Sequence, residues 1–190
     1  MPLGRIRYKP NREHLTPTHP IARPRAVGWQ QGIRRMLFSF LIGLAAGARS
    51  ITPLAAVREA ARRGALPLGN GAPPYLGHPL VAAGSKALAA GELLGDKMER
   101  APDRIVPAGI AARLVTGAIA GAALAPRRQA ALGALLGAGG AVAAAYVTFG
   151  LRMRAMRRFG QKPTGLVEDA LTLAATQMVV KGAGRRALRG

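Results

Sequence analysis

The sequence predicts an all-α fold: a polytopic integral membrane helical bundle of about five transmembrane helices, the first broken near Arg49–Pro53. Three observations carry this. Apolar residues form 49% of 190 positions and gather into runs of roughly 17–23, near the length that crosses a bilayer. The runs are built from Ala, Gly, Leu and Val, with aromatics at only 4% and 25 glycines, unlike an ordinary soluble core. The 28 Lys and Arg stand mostly between the runs, so a mean hydropathy of +0.15 understates them.

A net charge of +20 also suits a nucleic-acid binder. That class spreads Lys and Arg along its helices, whereas positions 129–151 hold no charge at all. Basic clusters beside apolar spans are the membrane pattern. The partner expected is therefore the lipid bilayer rather than nucleic acid. Cysteine is absent, which excludes disulfides and thiolate metal sites.

Residues 1–35 carry Pro at 2, 10, 17, 20 and 24 and lack periodicity, so a disordered basic tail is expected, with Met36 a candidate native start. His14 and His19 lack the further ligands of a metal site. The transmembrane domain is expected over residues 36–182, with a basic C-terminal tail at 183–190. Met36 to Thr52 is the first apolar run. Arg34-Arg35 before it and Ala46-Gly47-Ala48 near its end imitate a cleaved signal, but apolar character resumes after Arg49. Pro53 restricts Thr52 to extended backbone and interrupts the helical ladder, which places the break.

Pro79 to Met98 is the second run, and it is polar on one face. Ser85, Ala89, Glu92 and Asp96 fall on one helical side, and Lys86 is nearby. A charge at the bilayer centre costs at least about 2.5–3.5 kcal/mol, so this face must meet protein or water. Ile105 to Ala125 is the third span and carries Arg113. Arg127-Arg128 turns into the fourth, Gln129 to Leu151. A basic link, 152–162, precedes the fifth span, Thr164 to Val180, in which Glu168, Thr172 and Thr176 share a face with Asp169 beside them.

Glycines at i and i+4 recur as Gly43/Gly47, Gly91/Gly95, Gly117/Gly121 and Gly133/Gly137. Such pairs let helix backbones approach closely. They serve packing within one chain or between copies, so a homo-oligomer remains open. The N-terminus falls on the cytoplasmic side when the tail is counted in the basic-residue balance, and the balance is lost without it.

The stretches GLAAGARSITPLA (43–55), GELLGDKMERAPDR (91–104) and GLVEDAL (165–171) follow one another in this order. In this the chain resembles the uncharacterised bacterial membrane-protein family domain of unknown function (DUF) 4126, over about residues 36–182. Its most specific parts are the Gly-x-Arg-Ser-x-Thr-Pro stretch and the Glu92/Asp96-Lys97 block. The second block departs slightly, with Met98-Glu99-Arg100 before Pro102 and Asp103. The resemblance implies a multi-pass protein of a bacterial cytoplasmic (inner) membrane and confers no activity.

Arg49, Glu92, Asp96, Arg113, Glu168 and Asp169 form the candidate polar core. Buried carboxylates suit proton- or cation-coupled movement, because desolvation raises their pKa towards working pH. The expected function is thus permeation or transport of a small solute or ion through a carboxylate-lined site. The alternative is a structural or partner-binding protein whose charges pair, Arg113 with Glu92 or Asp96 for instance, and only fix helix packing. No metal constellation, catalytic nucleophile or phosphate loop is present in the sequence, so catalytic residues, metal and cofactor are expected to be none.

Overall fold

A computed structural model describes residues 25–85, 87 and 107–185. Among them the fold is all-α, with an isolated bridge and no strand. Helix α1 runs Arg25–Ala48, α2 Ile51–Arg62, α3 Pro107–Leu124, α4 Ala130–Phe159 and α5 Gln161–Arg185. A 3-10 turn spans Pro74–Gly77, and residues 79–85 are helical. Of the second expected span, only its opening is described. Ser85 there is buried and donates to the Val81 carbonyl at 2.7 Å, while Ala89, Gly91, Glu92, Gly95 and Asp96 lie outside the described residues.

The break falls at Arg49–Ser50, between α1 and α2. Thr52 is helical, not extended as expected, because Pro53 is the third residue of α2, within the first turn, where a helix has no use for the missing N–H. At its other end α2 stops in a Schellman turn. Gly64 adopts φ +63°, its N–H donates to Ala61 O, and Ala65 N–H donates to Ala60 O.

Two expected boundaries are corrected. Helix α1 begins at Arg25, so residues 25–35 are not a disordered tail. The last proline of that stretch is Pro24, and nothing after it blocks a helix until Pro53. Arg35 also ties this part down by donating to the Leu68 carbonyl at 2.6 Å. Helix α4 likewise continues through the expected basic link to Phe159. Arg, Met and Ala are strong helix formers, and no Gly or Pro intervenes before Gly160. The tight turn expected at Arg127-Arg128 is present as the 3-10 turn Arg127–Gln129.

Helices α1, α3 and α4 pack through their glycines. A methyl added at Gly117 would lie 2.6 Å from the Gly137 carbonyl oxygen, and one at Gly43 would run into the same residue from α1. Gly121 meets Gly133, and Gly47 meets Ala141. The described glycine pairs therefore face one another inside the chain. Ser39 adds a cross-link, donating from α1 to the Gly121 carbonyl of α3 at 2.8 Å.

A second cluster of Ile42, Leu54, Val57, Leu66, Leu76 and Leu124, with Val180 of α5, joins the loop after α2 to the helices. That loop is pinned where Gly71 N–H donates to Ala125 O at 2.9 Å and Arg127 N–H to Gly69 O at 2.8 Å.

On α4 and α5 most of the large apolar side chains sit on the outside. On α4, Gly133, Gly137, Gly140, Ala141, Ala144 and Ala145 are buried, while Leu135 is 71% and Val147 62% exposed. Leu166, Leu171 and Met178 of α5 are likewise exposed. Two helical stretches, Pro107–Leu124 and Arg127–Phe159, are long and apolar enough to cross a membrane.

Candidate functional site

Charged side chains meet where α1 breaks. Interrupting the helix leaves the last carbonyls of α1 without intrahelical donors, and these attract cations. Arg113 of α3 is 7% exposed and donates from Nε to the Gly47 carbonyl at 3.0 Å. Its Nη1 donates to the Gly109 carbonyl on its own helix, also at 3.0 Å. Gly47 itself packs against α4, where an added methyl would run into Ala141, Ala144 and Ala145.

Arg49, in the break itself, turns to α5. Its Nη2 donates to Asp169 Oδ2 at 2.8 Å, and its Nε lies 2.6 Å from Oδ1, so the guanidinium faces both carboxylate oxygens. Beside it, Arg152 Nη1 of α4 donates to Glu168 Oε2 of α5 at 2.6 Å. That second pair is the more buried, with side chains 14% and 15% exposed. Gly47, Ala48, Arg113, Thr148, Arg152 and Glu168 line a common cavity of about 10 Å³, room for roughly one water.

Of the six residues expected in a polar core, Arg49, Arg113, Glu168 and Asp169 are thus gathered at one junction from the α1 break, α3 and α5. Glu92 and Asp96 lie outside the described residues. The face of α5 expected to be polar is the inward one. Thr172 and Thr176 are buried, and Thr172 satisfies its hydroxyl on the Glu168 carbonyl at 2.8 Å. Thr176 Oγ1 has no hydrogen-bond partner among the described residues.

Arg152 was not foreseen as a member, having been counted with the basic link. Its signal was positional. Gly137, Ala141, Ala144, Thr148 and Arg152 continue one helical stripe, so the face that packs through small residues ends on a guanidinium.

A wider groove lies between α1, α4 and α5, with a volume of about 490 Å³. Leu41, Leu44, Leu151, Val167, Leu171 and Val179 form its apolar walls, and the Arg152–Glu168 pair stands in it. Thr148, Thr164 and Thr172 also line it, but each hydroxyl donates to a carbonyl of the preceding turn or of the helix corner. Their polar atoms are therefore already engaged. The chain matches no protein-family model, and no curated protein or solved structure shows significant similarity to it.

Proposed function

We propose that this chain is a multi-pass integral membrane protein of a bacterial cytoplasmic membrane that moves a small solute or ion past the charged junction at the α1 break. Supporting the membrane part is the packing of α4, with glycine and alanine inside and leucine and valine outside. Lipid tails accept such an outer surface and water does not. Membership of domain of unknown function 4126 belongs to the same proposal. Two of its resemblance blocks, 43–55 and 165–171, meet through the Arg49–Asp169 pair.

The single observation that carries the transport part is the junction. Charged groups from three helices and a helix break surround a water-sized cavity beside otherwise apolar helices. Irregular backbone at membrane depth is tolerated where it lines a cavity or packs on protein. Glu168 is the carboxylate in that cavity's wall and the group expected to carry a proton or cation.

A second reading, that the charges only fix packing, is favoured by a specific observation. Both Glu168 and Asp169 face an arginine, and Arg152 closes the end of the uncharged stretch of α4 rather than its middle. Proteoliposomes separate the two. Transport predicts proton or alkali-cation flux, read with a trapped pH dye or an ion-selective electrode, that Glu168→Gln abolishes while the melting temperature stays near that of the parent. No flux above protein-free vesicles, together with a variant that no longer folds, would leave the packing role in its place.

A further inference from the structure

We infer that the groove between α1, α4 and α5 is a site for one acyl chain of an anionic phospholipid, whose phosphate is held by Arg158, with Arg154 beside it, at the end of α4. This rests on the membrane reading above and names a ligand that reading does not.

The groove's shape and chemistry fit a chain rather than a polar solute. At about 490 Å³ it falls in the range of small-molecule sites, and its threonine hydroxyls are engaged with backbone. On α5 its lining extends from Thr164 to Val179, about 22 Å at the helical rise of 1.5 Å per residue. One leaflet of hydrocarbon is about 15 Å deep, so an acyl chain lies within that length.

Charge chooses the head group. Thr148, Leu151, Arg152 and Ala155 of α4 line the groove at helical spacing, and Arg158 and Phe159 continue that stripe beyond its end. Arg154, Arg157 and Arg158 are exposed, and none pairs with a carboxylate among the described residues. Arg152 differs, being neutralised by Glu168 inside the groove. The Arg158 guanidinium stacks 5.5 Å from the Phe159 ring centre, a cation held over an aromatic as at membrane interfaces. An apolar slot whose α4 wall runs on to the exposed Arg158, with Arg154 one turn before it, complements an anionic lipid, as basic sites beside transmembrane helices do. A zwitterionic lipid leaves those charges unmet.

The test uses the full chain in vesicles that contain phosphatidylglycerol or phosphatidylcholine, each with a photoreactive acyl chain, and maps cross-linked residues by mass spectrometry. Expected are cross-links concentrated on Leu151, Val167 and Leu171 with the anionic lipid. Replacing Arg154 and Arg158 by Ala should reduce them about fivefold or more, whereas Arg157→Ala, on the opposite face of α4, should not. Ala155→Trp, which fills the slot and leaves the arginines, should reduce them as well, so the outcome does not depend on one variant folding. Inorganic phosphate in excess should not compete.

Labelling spread evenly over outward Leu135 and Val147, or equal for both lipids, overturns the site, as does a protein–protein cross-link from a photoreactive residue at Leu171. Competition by free phosphate overturns the lipid source. Release of the chain from membranes by alkaline carbonate overturns the membrane reading and this site together. Retention with Glu168-dependent flux but even labelling overturns the lipid site alone.

Discussion

Gly137 is the residue on which the packing turns. It faces Gly43 of α1 and Gly117 of α3, and what it meets on each side is main chain. A backbone cannot move aside as a side-chain tip can, so added volume must separate helices. Gly137→Leu is expected to destabilise the protein by about 2 kcal/mol or more, at the upper end of overpacking effects. Gly139, two residues away, has nothing within reach of an added methyl. Gly139→Ala should instead leave stability unchanged or raise it by up to about 1 kcal/mol through helix propensity. Thermal unfolding in detergent of both variants checks the contrast. Spacing alone revealed that Gly137 was a packing residue. Which helices it would touch was not legible, because small residues recur too often for a pair to name its partner.

Among the elements, α2 is distinguished by a charged end. Glu59 accepts from Arg62, at 2.7 and 2.9 Å, and from Arg63, at 2.5 Å. Side-chain hydrogen bonds from Arg62 and then Arg63 hold its carboxyl down to about 2, well below the ordinary carboxylate range. The folded value is the lower one. Its contribution is therefore present above the unfolded value of 4.5 and is lost as pH falls towards about 2. Because the pairs lie at the surface, with Glu59 34% and its two arginines 59% and 67% exposed, solvent screens them and the effect on stability is small. A carboxyl-carbon NMR titration should place the Glu59 midpoint well below that of an unpaired glutamate, and Arg62→Ala should return it towards the ordinary range.

The same element shows how far local rules reach. Pro53 announced the break from the sequence because its missing N–H cannot bond the carbonyl four residues back, at Arg49, although Thr52 before it is helical rather than extended. The ends of α1 and α4 were less legible. Basic residues resemble a linker in composition, yet they are good helix formers, and only the absence of Pro after Pro24 in α1, and of both Gly and Pro over 151–159 in α4, distinguished the two. Arg152 went unrecognised for that reason.

For the whole molecule the decisive property is where volume lies. Among the described residues, glycine and alanine fill the contacts of α4 while most large apolar side chains of α4 and α5 face outward, and a smaller cluster of Ile42, Leu54, Val57, Leu76 and Leu124 is buried. The protein is therefore expected to remain in the membrane pellet through an alkaline carbonate wash and to need detergent for release. A protein recovered in the carbonate supernatant would contradict this and leave the charge of +20 as the feature to explain. The all-α class and the order of helices were legible because length and apolar clustering are properties of single segments. The junction was legible only in part. Arg49, Arg113, Glu168 and Asp169 stood out as charges within apolar runs, but their pairings depend on which helices become neighbours.

The inverted distribution of volume also shapes how this chain tolerates change over generations. Along α4, lineages can exchange Leu135 or Val147 for any apolar residue with little consequence, so those positions are free to drift. Gly137 cannot enlarge unless a facing helix yields at the same time, and that helix meets it with main chain, which no substitution shortens, while Gly133 is confined by the Ala125 methyl and the Gly121 carbonyl together. Inherited variation should therefore accumulate as a stripe on the outer face, while the inner face keeps a record of the fold.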